Sequence, residues 1–466
     1  LRGTLMKIVE LDPQGHCEQA AVALQNRLME EGQSLAEQKS WQQALAVMFN
    51  AYSLSPGKSP ILRAIAEVYS SQGDEEAART CRLGVVPESA EAKFFNSTCI
   101  QTRFKAATEV SNTRHIQVHH PENIALKFPR TNESSMKRPQ FKSDKTDSRG
   151  SFVSILQQGG VWFDGFNTVV LDNDGNIVRD HVKGNAFVVV DSARRRPELL
   201  LEGRTCFLDA RSSHIYYHWM IDVLPKFALL KSAGIDIEKI DSFVVRCRSS
   251  FQKQTLEHLG VPLDKVVNPP TDAMIRCDEL IVPYLKNDRG ERFYNGLGLG
   301  MGYWVSEWMK SMFIHKHSGC HRRLYISRAA CGTRAVVREE ELVKALERRD
   351  FHCVQMESLS VTEQAELLDG ADVVVAPHGA GLTNIVFCKP GTVVVEIFGN
   401  YVVPCYWAIS ELAKLEYHAY FVNDTTAISK DGAKENAEVL DPVQRRDQGI
   451  DLALPDFTAY LDRLLP

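Results

Sequence analysis

At 466 residues the chain is too long for one ordinary domain, and 44% hydrophobic with 24% charged residues gives it apolar material for two or three cores. A formal net charge of −5, with no basic run beyond "ARRRP" at 193–197, disfavours general nucleic-acid binding. The 11 cysteines are scattered singly, without a CxxC pair or zinc-type spacing, so neither a disulfide framework nor a structural zinc site is expected and a reducing, cytoplasmic setting is. No apolar run approaches the roughly 18 to 20 residues that span a bilayer, and no signal peptide is expected at the start. Sequons at Asn96, Asn132 and Asn423 are read as chance triplets.

Residues 1–95 carry alanines and aromatics at helical spacing, in "AEQKSWQQALAVMFNAYSLSP" and "ILRAIAEVYSSQGDEEAARTCRLGVVP". Ala44 and Ala77 are 33 positions apart, close to the period of about 34 residues in tetratricopeptide repeats, which this region resembles. So few repeats cannot bury a core alone and are expected to dock on a neighbour or on copies of themselves. Between about 120 and 150 the composition turns polar and reads as an exposed connection. In "TVVLDNDGNIVRD" the Asp-Gly between apolar runs signals a hairpin. Asp172-Asn173-Asp174 has the letters of a metal-binding Asp-x-Asp motif, but in a turn these residues serve the backbone, and Lys183 stands where a calcium loop needs its glutamate.

From 200 onward, strand-like runs ("SFVVRC", "ELIVPY", "RRLYIS", "FHCVQM", "DVVVAP", "TVVVEIF", "EYHAYFV") alternate with helical patterns. This alternation predicts parallel sheets of βαβ units, and a break at 312–320 divides them into two α/β lobes with a cleft between.

Three constellations carry chemistry. In "PHGAGLTN", Gly379 and Gly381 let the backbone approach a ligand, and a helix starting around Ala380 to Thr383 offers unpaired N–H groups to an anion such as a diphosphate, with His378 as a further donor. In "YISRAACGTR", Ser327, Arg328 and Arg334 lie at a strand end, where α/β sheets bind ligands, and Glu396 ends the strand after the glycine helix in a place suited to ribose hydroxyls. In "SSHIYYHWMIDVLPK", His214, His218 and Asp222 are spaced i, i+4 and i+8. A catalytic base pair, a metal site using both histidines and a structural helix cap or core pair compete there.

Taken in order, "HWMIDVLPK", "YISR" with Arg334, Glu339 to Glu341, "LSVTEQAELLDGADVVVAPHGAGLTN" and "VVVEIF" resemble glycosyltransferase family 61 over roughly 205–400. The resemblance implies a GT-B architecture of two Rossmann-like lobes, preceded here by a small all-α repeat-like region. The ranges expected are 1–95 helical, 96–312 the acceptor-side lobe, and 313–466 the nucleotide-sugar lobe, its last helix packing back on the first. It implies inverting transfer from a nucleotide diphosphate sugar, UDP-linked, to a glycan, protein or lipid-linked acceptor. The diphosphate is assigned to Arg328, Arg334 and the loop His378, Gly379, Ala380, Gly381, Thr383, Asn384, while His218 and Asp222 fall in the cleft. Ile215 departs from the family, which often has asparagine there.

Inversion needs a base, read as Asp222 with His218 as partner or replacement, and cationic donors for the leaving group, so no metal cofactor is required, a divalent ion remaining the competing reading. The partners expected are the donor, the acceptor and whatever the N-terminal helices dock on, the chain's own copies included. A serine hydrolase lacks its GxSxG elbow, "GLGLGMGY" at 296–303 misses the dinucleotide spacing, and no Walker A sequence exists. The remaining alternative is a repeat-bearing scaffold whose transferase fold is silent.

Overall fold

The computed structural model describes residues 16–54, 59–82, 87, 90, 104–133, 141, 145–163, 168–182, 198–269, 273–285, 301–316, 322–422, 426–428, 434–436 and 442–465. Asn96, Asn423, Lys183, the "ARRRP" run and most of "GLGLGMGY" lie outside them. The alanine-rich first stretch forms helices His16–Glu37, Trp41–Leu54, Ser59–Ser71 and Glu75–Arg82, each packed on the next. Their core, built on Ala44, Met48, Phe49, Tyr52, Ile65 and Ala77, is separate from the cores of the sheets. Gly32 explains how closely the first two helices approach: a Cβ there would lie 2.5 Å from Cγ of Met48. The Asp74 carboxylate accepts from Ala77 N at 3.1 Å and caps the last helix of the group.

Among the described residues, one ten-stranded sheet and one six-stranded sheet follow. The first is mixed: its strands from 198 onward pair in parallel with one another, as the alternation after 200 predicts, and its antiparallel members come from earlier residues. Glu198–Phe207 is parallel to both Ala273–Leu285 and Ser242–Val244, as βαβ alternation requires. Lys145–Gln157 and Gly160–Phe163, however, run antiparallel to Ala273–Leu285, and Thr113–Ala125 runs antiparallel to Lys145–Gln157. Thr168–Leu171 turns into Ile177–Val178 as the Asp-Gly signal indicated. A turn this tight permits only an antiparallel partner. Gly175 supplies its positive φ of 80°, and Asp172 accepts from the backbone N–H and side-chain amide of Asn176 and faces Nζ of Lys105 at 3.3 Å. Asp172 is therefore a turn residue.

The second sheet is parallel throughout, in the order Phe351–Val354, Arg323–Ile326, Val373–Pro377, Val393–Phe398, Glu416–Phe421, Arg130–Thr131. Val373–Pro377 is buried along its whole length, as a strand covered on both faces must be. The helix Val361–Asp369 begins in a capping box: Ser360 Oγ accepts from Glu363 N, and the Glu363 carboxylate accepts from Ser360 N at 2.7 Å. Chain order reverses between Arg323–Ile326, whose successor lies on one side, and Val373–Pro377 on the other. In an open α/β sheet such a switch point opens a crevice beyond the strand ends, where ligands bind.

Three features tie distant stretches of the chain to the second sheet, the first two within the connection read as exposed in the sequence. Arg130–Thr131 is a strand of the second sheet although it precedes residue 312, and the fully buried Phe141 packs on Phe398, Trp407 and Phe421 of that lobe. Asn132 follows that strand and bonds both ways to the Phe421 backbone, Nδ2 donating to its O at 2.9 Å and Oδ1 accepting from its N at 2.8 Å. The amide of this sequon is thus a sheet-edge bridge. The last helix, Leu454–Leu464, packs on the second sheet: Phe457 meets Tyr420, and Asp462 pairs bidentately with Arg349.

Candidate functional site

Arg328 leaves the strand Arg323–Ile326 on one side of the switch point, and His378-Gly379 leaves Val373–Pro377 on the other. Glu339, the first residue of the helix Glu339–Glu347, holds the intervening loop: its carboxylate accepts from Tyr325 Oη at 2.6 Å, Ser327 Oγ at 3.0 Å and Arg328 N at 3.3 Å. Ser327 Oγ in turn accepts from Ala329 N. Ser327 is thereby a loop fastener, its hydroxyl occupied on both sides.

The Arg328 side chain is buried, and its Nη2 donates to Thr333 O at 3.0 Å. Arg334 stands in the left-handed region at φ 54°, costly for a residue with a Cβ, and its backbone N–H is tied to Gln448 O at 3.2 Å. Its guanidinium lies over the Tyr401 ring at 5.3 Å, and its buried Nε has no hydrogen-bond partner among the described residues. Burial, followed by the Arg328 charge, pulls the Arg334 pKa down. The two arginines therefore converge, and among the described residues neither is within ion-pair distance of a carboxylate. Two cations crowded without a counter-charge make an anion site.

In the glycine loop the helix expected to start around Ala380 does so, as the 3₁₀ helix Ala380–Phe387. A Cβ on Gly379 would lie 1.8 Å from Nη1 of Arg328, and one on Gly381 3.2 Å from Cγ2 of Ile326. Both glycines make room for protein atoms. Ala380 is half-buried and Thr383 fully buried. Asn384 is fully buried with its amide committed: Oδ1 accepts from Tyr216 Oη at 2.7 Å, and Nδ2 donates to Gln364 Oε1 at 2.7 Å. It ties Tyr216, from the helix after Glu198–Phe207, to Gln364 of the helix Val361–Asp369.

Glu396 is fully buried; one carboxyl oxygen is hydrogen-bonded to Nδ1 of His378 and the other accepts from Tyr417 Oη. Contact with ribose hydroxyls, expected of Glu396, has no free oxygen to make it. Burial raises the Glu396 carboxyl well above the carboxylate range and lowers His378 well below the usual imidazole value, Arg334 and Arg328 adding to the latter.

Beyond the strand Glu198–Phe207, His214 is exposed in a turn, and the helix begins only at Tyr216. Trp219–Val223 is a π-helical turn in which Leu224 N reaches Trp219 O. Pro225 explains the irregularity, since it lacks the N–H that an α-helix would direct at Ile221 O. His218 Nδ1 and Asp222 Oδ2 are 2.7 Å apart, with both side chains largely buried. His214 lies outside the helix that carries this pair, and no cluster of three His, Cys, Asp or Glu able to hold a metal occurs among the described residues. Lys226, at the end of this motif, is buried and donates to Leu208 O and Asp209 O, anchoring the helix on the strand end.

Tyr217 and Tyr406 link the two constellations. Tyr217 meets His218 edge-on at 5.2 Å and Tyr406 at 5.9 Å, and Tyr406 lies 5.3 Å from His378. Sequence reading passed over both, and also Tyr216, Tyr401 and Tyr417. The aromatic cluster "NYVVPCYW" just after the strand Val393–Phe398 was the available signal.

The α/β structure thus carries two crowded cations at the switch point of its parallel sheet, a chemistry suited to an anion, and an imidazole–carboxylate pair on the helical turn that follows Glu198–Phe207, a chemistry suited to proton transfer. Residues 216–395 match the model of the Glycosyltransferase 61 family. The chain is 33% identical over 135 residues to the β-1,2-xylosyltransferase XAX1 of Oryza sativa subsp. japonica, covering 28% of this chain and 24% of that protein. To the β-1,2-xylosyltransferase RCN11 of the same plant it is 36% identical over 83 residues, 18% of this chain and 16% of the relative. To the EGF domain-specific O-linked N-acetylglucosamine transferase of Drosophila melanogaster it is 30% identical over 106 residues, 22% and 20% of the two chains. The matches thus span a quarter or less of each relative's length. Among the described residues, no helix is long and apolar enough to cross a membrane, and the eight described cysteines with placed side chains are unpaired.

Proposed function

We propose that this chain is an inverting glycosyltransferase that moves a sugar from a UDP-linked donor to an acceptor hydroxyl. The two sheets act as the lobes of a GT-B architecture. The observation that carries this reading is the convergence of Arg328 and Arg334, without a carboxylate partner among the described residues, on the glycine loop at the switch point. A diphosphate supplies the missing negative charge, and its departure is what those cations stabilise. The relatives' names, xylosyl- and N-acetylglucosaminyltransferases, support transfer of a sugar.

His218 and Asp222 act together on the acceptor. His218 has the more exposed side chain, 16% against 12%, so it takes the proton of the attacking hydroxyl while Asp222 orients the ring and stabilises the imidazolium. This reverses the order of roles read from the sequence. The mechanism uses helix and arginine electrostatics at the leaving group and assigns no step to a metal. The N-terminal helices, read as tetratricopeptide-like, serve docking and not catalysis. A hydrolysis and binding screen of UDP-, GDP- and CDP-sugars tests the proposal: donor hydrolysis dependent on Arg334 is expected, and absence of any nucleotide-sugar binding would overturn it.

A further inference from the structure

Three neighbouring strands of the second sheet deliver one polar side chain each to a single buried point. His378 follows Val373–Pro377, with its N–H donating to Ile397 O at 2.9 Å; Glu396 lies in Val393–Phe398, and Tyr417 in Glu416–Phe421. Tyr417 Oη donates to one oxygen of Glu396, whose other oxygen is bonded to Nδ1 of His378. Phe398 stacks on the imidazole at 5.3 Å, and Tyr406 and Tyr401 close around it at 5.3 and 5.6 Å. The ring has no room to turn. Nε2 is its one polar atom not engaged by another described residue.

We propose that Tyr417 and Glu396 are positioning residues that hold His378 in the tautomer with its proton on Nε2, so that the ring donates a hydrogen bond to the departing diphosphate. This rests on the nucleotide-sugar reading of the site and adds to it a mechanism for keeping a neutral donor beside two arginines. The alternative roles fit less well. A carboxyl used on both oxygens cannot reach a ribose, and a purely structural site this dry would be satisfied at lower cost by apolar side chains. Charge supports the assignment: burial raises the Glu396 carboxyl and lowers His378, which favours the neutral pair, in which the carboxyl O–H donates to Nδ1 and the ring carries its proton on Nε2. Arg334 and Arg328 disfavour an imidazolium in the empty site, and an arriving diphosphate removes that penalty.

Histidine-¹⁵N-labelled full chain, observed by long-range ¹H–¹⁵N NMR and titrated with UDP, GDP and CDP in turn, tests the proposal. In the free protein His378 should carry its proton on Nε2, and that signal should move with whichever nucleotide binds. Glu396→Gln presents an N–H to Nδ1 and an oxygen to Tyr417, as a protonated carboxyl does, and should lose far less turnover than Glu396→Leu. Tyr417→Phe removes one hydroxyl and should lower kcat by about 10- to 100-fold with little change in donor KM, less than the roughly 100- to 1,000-fold for losing an oxyanion donor outright. Should Glu396→Leu fail to fold, Tyr417→Phe and the wild-type spectra decide alone. A bound nucleotide that leaves the Nε2 signal unmoved, or a Tyr417→Phe enzyme with wild-type kcat, overturns the relay and leaves the donor-site reading standing. If none of the three nucleotides binds, both fall.

Discussion

Gly379 and Arg328 occupy one space: a Cβ on the glycine would fall 1.8 Å from the arginine's Nη1. The glycine's φ of 177° is extended backbone that any residue adopts, so its lack of a side chain, and not its conformational freedom, is what the site uses. Because the obstructed atom ends a flexible side chain, Gly379→Ala should fold, with the guanidinium displaced. UDP affinity should fall as in Arg328→Ala, by about 1.5 to 3 kcal/mol for a lost charge-assisted bond. Calorimetry of the two variants, beside their thermal melts, checks this; wild-type affinity in Gly379→Ala would break the link.

Arg334 separates binding from stability. Its buried Nε makes no hydrogen bond among the described residues, and the Arg328 charge opposes its own. Arg334→Ala should therefore leave the melting temperature unchanged or raise it, while weakening UDP by about 1.5 to 3 kcal/mol. A destabilised variant with intact nucleotide affinity would assign the side chain to structure.

For the base pair, Asp222→Asn preserves size and removes the negative charge that orients His218. Turnover should drop roughly 100- to 10,000-fold, and His218→Ala should cost about as much, because the two work as one unit. Donor binding should survive both changes. Single-turnover transfer at near wild-type rate in Asp222→Asn would locate proton removal elsewhere.

The buried Glu396 and His378 give stability a pH dependence of opposite signs. The folded Glu396 carboxyl titrates above its unfolded value, so its contribution is complete below about pH 4.3 and is lost as pH rises towards the folded value. His378 titrates below its unfolded value, so its contribution is present above about pH 6.5 and is lost as pH falls. Glu396→Gln removes only the first. In urea unfolding from pH 5 to 8, the variant should gain on the wild type as pH rises; a constant difference between the two would contradict the buried, protonated carboxyl.

The helices from His16 to Arg82 have their own core. Removing residues 1–90 should leave donor hydrolysis measurable while altering solubility, assembly size or acceptor choice. Loss of UDP binding in a folded truncated chain would show that the helices support the donor lobe.

Local physics made much of this protein legible in its sequence. Largely apolar runs such as "DVVVAP" and "VVVEIF" read as buried parallel strands, Asp-Gly between apolar runs turns a hairpin, and alanine spacing marks the first helices. The same rules gathered Arg328, Arg334 and His378 at strand ends, and His218 with Asp222 one turn apart. What each side chain does there depended on neighbours distant in the chain. Glu396 was spoken for by Tyr417 across a strand, Asn384 by Tyr216 from the other sheet, and Gly379 by Arg328 across the switch point. Arg130–Thr131 joined a sheet whose next strand in sequence is almost two hundred residues away. Period and propensity report only a few residues' reach, whereas hydrogen-bond satisfaction in a dry interior is settled by whichever groups the fold brings together.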